Sequence, residues 1–331
     1  MKSIIKRNGT TVAYDRNKIS KAIAKAFISV NSQASTEQLE DYLNQIEAKL
    51  SDQESCGVEL IQDTVEQVLM KNDQYAVAKS YILYREKRTA LRNQRKELLE
   101  VVKDPDIEPV LVKIQKDFLE YDLEKLAFKF KEMDKDEMDL FRRLDLLIKA
   151  GEEMTSKEEP QWEKIAGRLL SYRFHYQLHQ QEKNLGLNSF YEKVVYLTNE
   201  ELYGDYILQG YSHSEIDEAS GLIDESRNDL FTYSGLDLLI QRYLIINRRH
   251  VVLESPQEMY LGIALHLALK ETKDRLSWVK KYYDMLSLEL VTMATPTMAN
   301  ARKPYHQLSS CFVDTVPDSL EGIYRSIKKR I

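Results

Sequence analysis

Turn formers are scarce in this chain. Of its 331 residues, 11 are glycine and 7 proline, together about 5% where an average protein has roughly 12%. No two glycines stand closer than six residues, the nearest pair being Gly204 and Gly210. A G-x-G-x-x-G turn needs glycines two apart and a P-loop needs them five apart, so both common phosphate loops are excluded. The two cysteines, Cys56 and Cys311, can build neither a disulfide framework nor a structural zinc site. No apolar run approaches the ~20 residues of a membrane span. Met1-Lys2-Ser3 leads straight into an amphipathic segment, unlike a signal peptide, so a reducing cytoplasm is the expected compartment. Neither sign of charge dominates: 47 Lys and Arg stand against 53 Asp and Glu, a net charge of -6. A nucleic-acid binder is normally basic overall, so no nucleic acid and no membrane is expected as partner. What is plentiful is charge, at 30%, which with few turn formers predicts long solvated helices. The length allows two domains of ~100–200 residues.

Residues 3–14 read as a hairpin, with Ile4 and Ile5 on one strand, Asn8-Gly9 as a two-residue turn and Thr10-Thr11-Val12 returning. Asp15 stands where a helix N-cap belongs. Ile19, Ala22, Ile23, Ala26 and Phe27 then repeat at helical spacing. A polar break from Asn31 to Thr36 separates them from Leu39, Leu43, Ile46 and Leu50. Val58, Ile61, Val65 and Leu69 predict a third helix, and a long fourth runs from about Gln74 past Arg95. Lys6 and Arg7 flank the turn, Lys18 and Lys21 open the first helix, and Arg85, Lys87 and Arg88 lie on the last. If that helix packs back on the hairpin, these cations converge and could hold a triphosphate without a glycine loop. The same residues read equally as an ordinary solvated face.

Residues 98–217 are helical in pattern and carry no functional signal. Gly151 to Pro160 is the best linker, and Met133 to Asp139 is acidic. His175 and His179 stand four apart, but no Glu completes an H-E-x-x-H motif and no third ligand is evident. They read as structural, and no metal is expected in this chain. Phe231 to Leu244 opens a more apolar block. Ser255 caps a helix with Pro256 at its first position, and Met259 to Leu269 predicts a buried helix. Trp278, Tyr282, Tyr283, Leu286 and Leu290 predict another. Thr292 to Pro304 reads as a loop of small residues that could press against a ligand. Gln307 to Val313 reads as a short strand containing Cys311, whose type alone favours a core thiol.

Two stretches resemble known families. Ile4-Ile5-Lys6-Arg7-Asn8-Gly9, Tyr14-Asp15-Arg16-Asn17-Lys18-Ile19, Ile61 to Glu66 and Ala78 to Arg85 resemble an ATP cone. That resemblance implies a regulatory ATP/dATP sensor with Lys6, Arg7, Asp15, Lys18, Val58, Gln62 and Arg88 lining its pocket. Lys6 and Lys18 would bind phosphate. Ala294-Thr295-Pro296-Thr297-Met298-Ala299-Asn300, followed after eight residues by Ser309-Ser310-Cys311-Phe312-Val313, resembles the start of the catalytic domain of the ribonucleotide reductase large subunit, class I branch. The block from Phe231 onward resembles that family's N-terminal helical domain.

The resemblance implies a mainly α fold. A cone (small β-hairpin plus four-helix cluster, 1–95) would be followed by a helical linking region (96–227) and an all-helical domain (228–306). The first strand of an incomplete α/β ten-stranded barrel would close the chain (307–331). It also implies a chemistry, in which a thiyl radical takes the ribose 3′-hydrogen, water leaves from C2′, and two cysteines become a disulfide. Cys311 matches one of that reducing pair. Thr295 and Ser310 match substrate-positioning residues, and Asp318 an acidic residue of the specificity-effector site; Asp318 reads equally as a helix N-cap. Expected partners are a radical-generating small subunit holding the metal centre, a second large subunit, nucleotides and the remainder of the large subunit. The radical cysteine, the partner cysteine and most of the barrel do not fall within these 331 residues. The chain alone is therefore expected to be inactive. A split gene, a truncated product and a retained nucleotide-binding regulatory module without catalysis are the alternatives.

Overall fold

The computed structural model describes residues 3–328 apart from residues 8, 52, 135–137 and 312–314. The chain divides into two compact units, Met1–Lys96 and Glu97–Ile331.

In the first unit β1 (Ser3–Ile5) and β2 (Thr11–Ala13) pair antiparallel, Ile4 facing Val12. The pairing extends one step further, Lys6 N donating to Thr10 O, while Gly9 N donates to Lys6 O. The pairing thus ends at Lys6 and Thr10, one residue short of Arg7, where the expected two-residue turn would begin, and Gly9 lies at φ +81, a conformation that favours glycine. Asn8 lies outside the described residues. The open edge of β1 takes a strand that the sequence reading missed, β3 (Ser55–Gly57), in parallel, with Ile4 opposite Cys56. Four helices follow the expected pattern: α1 (Arg16–Ser29), α2 (Thr36–Lys49), α3 (Val58–Lys71) and α4 (Tyr75–Val102). Asp15 caps α1 by accepting from Asn17 N, and Ser35 with Gln38 forms a capping box on α2. Ile23, Leu43, Ile46, Val65, Val68 and Leu69 make the core, with Cys56 buried beside them. Burial raises the Cys56 pKa, so this thiol is inert.

In the second unit α5 (Glu108–Asp117), α6 (Leu123–Met133), α7 (Leu140–Glu153) and the first half of α8 (Trp162–Leu185) enclose one core around Trp162. α7 runs into the expected Gly151–Pro160 linker because Gly151 packs against Ala166. The second core gathers the rest of α8 with α9 (Phe190–Asn199), α10 (Tyr206–Gly210), α11 (His213–Ser220), α12 (Tyr233–Arg242), α13 (Pro256–Ala268) and α14 (Arg275–Ser287). α13 is capped by Ser255 and Glu258 and is buried almost all round, as its apolar run predicts. Gly167 on α8 lets the start of α12 approach, since a Cβ there would sit 2.8 Å from the backbone of residues 231–233.

Two expectations near the end of the chain are corrected. The segment Thr292–Pro304 holds a short helix, α15 (Thr295–Asn300), with Pro296 in its first turn. Gln307 to Cys311 form no strand, and residues 312–314 lie outside the described set. A strand needs a neighbouring backbone to pair with, and among the described residues none lies alongside this segment. The expected first barrel strand is thus not seen among the described residues. A last helix, α16 (Leu320–Lys328), follows.

A cationic cavity in the first unit and the Cys311 segment

Lys18, Lys21 and Lys25 recur at three- and four-residue spacing along α1, which puts them on one face. Arg85, Arg88 and Arg92 do the same on α4. These faces meet Arg7 from the hairpin turn and Gln62 from α3 around a cavity of about 720 Å³. Tyr81 and Tyr84 also stand on its wall, and among the described residues no Asp or Glu lines it.

The seven cations are not equally engaged. Arg7 Nε donates to Glu59 at 2.5 Å and its Nη2 to Gln62 at 2.9 Å. Arg85 is held by Glu59 at 2.6 Å, Asp63 at 2.5 Å and Glu66 at 2.8 Å. Burial works against its charge, but these carboxylates outweigh burial and raise its pKa. Lys18 is 78% exposed and has only Asp15 at 3.8 Å, a contact of little strength. Lys21, Lys25 and Arg88 have no carboxylate partner among the described residues. Burial and the charge of Arg7 lower the Arg92 pKa, with Arg88 and Arg95 adding to the repulsion. Such crowding of like charge is relieved by a bound anion.

Of the seven residues expected at a nucleotide pocket, the fold brings Arg7, Lys18, Gln62 and Arg88 onto this wall. Lys6, Asp15 and Val58 do not line it. Arg7 stands in the turn and reaches the wall, whereas the exposed Lys6 that follows β1 does not. Asp15 is taken up by capping α1, and Val58 is a half-buried residue opening α3. Lys87 also stays off the wall. Lys25, Tyr81, Tyr84 and Arg92 were missed, although their four-residue spacing from Lys21, Arg85 and Arg88 was a readable signal.

In the second unit Cys311 is exposed, with its Sγ 4.0 Å from Ser310 Oγ. Thr295 is also exposed, its Oγ1 3.2 Å from Tyr243 OH. The segment leading to Cys311 is tied to α15, because Asn300 Nδ2 donates to Gln307 O at 3.0 Å. Beneath α15 lies a buried ion pair that the sequence reading also missed. Arg302, with no exposed surface, donates from Nε to both oxygens of Glu254 at 3.0 Å, from Nη1 to Met298 O at 2.8 Å and from Nη2 to Tyr243 O at 2.8 Å. Glu254 also accepts from Tyr203 OH at 2.9 Å and Ile245 N at 2.7 Å. Asp318 is exposed just before α16. It is not the N-cap: Ser319 Oγ accepts from Gly322 N at 3.1 Å.

His175 and His179 hold no ligand-like geometry. His175 Nδ1 donates to Ser171 O at 2.7 Å and its Nε2 lies 3.1 Å from Glu225, while His179 Nδ1 lies 3.0 Å from Glu182. Among the described residues no group of three His, Cys, Asp or Glu gathers as metal ligands would. None of their helices is long and apolar enough to cross a membrane.

Comparison with known proteins places both units. Residues 2–90 match the ATP cone domain, and residues 229–306 match the ribonucleotide reductase all-alpha domain. The ribonucleoside-diphosphate reductase subunit alpha of Treponema pallidum (strain Nichols) is 50% identical over 98% of this chain and 39% of its own length. That of Chlamydia muridarum is 31% identical over 98% of this chain and 34% of its own length. That of a Synechocystis species is 37% identical over 55% of this chain and 23% of its own length. The chain thus spans between a third and two-fifths of the length of the first two relatives. It contains an ATP cone and a ribonucleotide reductase all-alpha domain, and it belongs with the part of a ribonucleoside-diphosphate reductase alpha subunit that carries them.

Proposed function

We propose that the first unit senses adenine nucleotides, ATP or dATP, and that the second contributes one side of the site where an alpha subunit reduces ribonucleoside diphosphates. The observation that carries the sensor reading is the cavity lined by seven cations and, among the described residues, no carboxylate. Lys18, Lys21, Lys25 and Arg88 would neutralise a triphosphate, Arg7 and Gln62 would hold it at the turn, and Tyr81 and Tyr84 would offer ring faces to the base. Lys6, Asp15 and Val58 would support the wall without forming it.

For the second unit, the exposed thiol of Cys311 is the reducing group. Two thiols supply two electrons and two protons as they close to a disulfide. The ribose loses its 2′-hydroxyl as water and gains hydrogen at C2′. Thr295 and Ser310 would hold the substrate, and Asp318 a specificity effector. The second thiol, the radical cysteine and the remaining barrel strands would come from alpha-subunit sequence outside these 331 residues. A second alpha subunit and a radical-generating small subunit would complete a cytoplasmic assembly. The match to the all-alpha domain supports this reading over a stand-alone nucleotide-binding module without catalysis.

Calorimetric titration of the 331-residue chain with ATP and dATP tests the sensor. Saturable binding is expected, weakened about tenfold by Lys18→Ala through loss of one charge-assisted contact. Absence of binding to well-folded protein would remove the sensor reading.

A further inference from the structure

Glu59 stands at the border of the cationic cavity, between two of its arginines. Its carboxylate accepts from Arg7 Nε at 2.5 Å and from Arg85 Nη2 at 2.6 Å. It also lines a second hollow of about 600 Å³ that shares Arg7, Arg85 and Arg92 with the first. The two arginines differ in what else they have. Arg85 keeps Asp63 and Glu66 if Glu59 is lost. Arg7 has Glu59 as its carboxylate partner among the described residues, and its other contact is the neutral amide of Gln62. Arg7 hydrogen bonding holds the Glu59 carboxyl below its usual range, so Glu59 carries its full charge at neutral pH.

Resting on the reading of this cavity as a nucleotide site, we propose that Glu59 is an internal competitor for the phosphates: its carboxylate occupies Arg7 in the empty protein and must give it up when a polyphosphate enters. Two costs follow for the ligand. The Arg7–Glu59 contact must break or be shared, and an ionised carboxylate stays within a few ångströms of the arriving anion, where like charges repel. Glu59 therefore sets the affinity of the cavity, and its effect grows with the number of phosphates and vanishes for an uncharged nucleoside. This dependence on ligand charge separates competition from a merely structural role, which would shift all ligands alike.

The side chain of Glu59 is 53% exposed in the first turn of α3, so its replacement by the neutral isostere leaves the fold intact. Titrations of the 331-residue chain with ATP, AMP and adenosine would compare the parent with Glu59→Gln. A five- to tenfold gain for ATP is expected, with a smaller gain for AMP and none for adenosine. Glu59→Asp, which shortens the reach to Arg7, should fall between the two. Measured against Arg7→Ala, the gain from adding Glu59→Gln should shrink, because the cost of breaking the Arg7–Glu59 contact is gone and only the repulsion remains. Binding of ATP by the parent with no gain, or a loss, in Glu59→Gln would overturn the inference alone. Absence of ATP binding in parent and variant alike would overturn it together with the sensor reading.

Discussion

Glu254→Ala should destabilise the second unit by about 3–5 kcal/mol, the usual cost of removing one partner of a buried ion pair. Arg302 is wholly buried and cannot follow the loss by moving to water. Nor does it shed its proton, because a guanidinium stays charged in proteins; in the parent Glu254 outweighs the burial that opposes this charge, and the variant leaves burial unopposed. Its contacts to the carbonyls of Met298 and Tyr243 do not neutralise the charge. Two further groups lose their acceptor, Tyr203 OH and Ile245 N. Both tryptophans, Trp162 and Trp278, lie in the second unit, so fluorescence-detected urea unfolding reports that unit. A change below about 1 kcal/mol would contradict the account, since that is the range of an exposed pair. The double replacement Glu254→Leu/Arg302→Met should cost less than the sum of the two single changes, because a matched apolar pair leaves no unpaired charge. Arg302 follows α15 directly, so Glu254→Ala should also raise hydrogen exchange in residues 295–302 before global unfolding.

The second large effect should depend on pH. Lys193, with a side chain 4% exposed, lies between Glu182 and Glu258, its Nζ 2.6 and 2.7 Å from the two oxygens of Glu258. Burial opposes the ammonium, but Glu258 and Glu182 outweigh burial and raise its pKa. A raised lysine pKa contributes stability that is complete below the ordinary value near 10.5 and is lost only as the pH climbs through the folded value. At pH 7 it is therefore fully present. Glu258 shifts in the same direction for the opposite reason: burial raises its pKa, with Lys193 working against the rise, so its ionisation costs stability as the pH climbs. Lys193→Met removes that restraint and leaves two largely buried carboxylates, Glu182 with a side chain 19% exposed and Glu258 with one 12% exposed, without their shared cation. At pH 7 the variant should lose about 3–5 kcal/mol. Because its folded state then binds protons more tightly than the unfolded chain, its stability should recover as the pH falls from 7 toward 5. Chemical unfolding of parent and variant at both values is the measurement. A deficit that stays constant with pH would mean that lost packing, not unpaired charge, is the cause.

The elements were readable where the signal is local. Asp15 and Ser255 mark helix starts through a side-chain oxygen within three residues of the amide it caps, and the apolar residues of α1 to α4 recur within one turn of each other; Ser35, which caps α2, was passed over as part of a polar break. β3 was not readable, because Ser55-Cys56-Gly57 has no β-propensity of its own and is a strand only through the open edge of β1. The Gln307–Val313 run shows the converse. Its side chains suit a strand, yet residues 307–311 stay irregular for want of a backbone to pair with. The cavity was half legible. Arg7, Lys18, Gln62 and Arg88 were named from the sequence, while Lys6, Asp15 and Val58 were expected beside them and stand elsewhere.

Sequence alone therefore determined the four helices of the first unit, the caps Asp15 and Ser255, the buried run of α13, the exclusion of a glycine phosphate loop and the likeness to two families, because each depends on residues close in the chain or on their order. Tertiary structure decided which cations share one wall, that Glu59 binds Arg7, and that Arg302 ends wholly buried on Glu254, 48 positions away. Those outcomes depend on the distance between segments after packing. A charge looks the same in sequence whether it will meet water, a carboxylate or another cation, and only the folded chain selects among them.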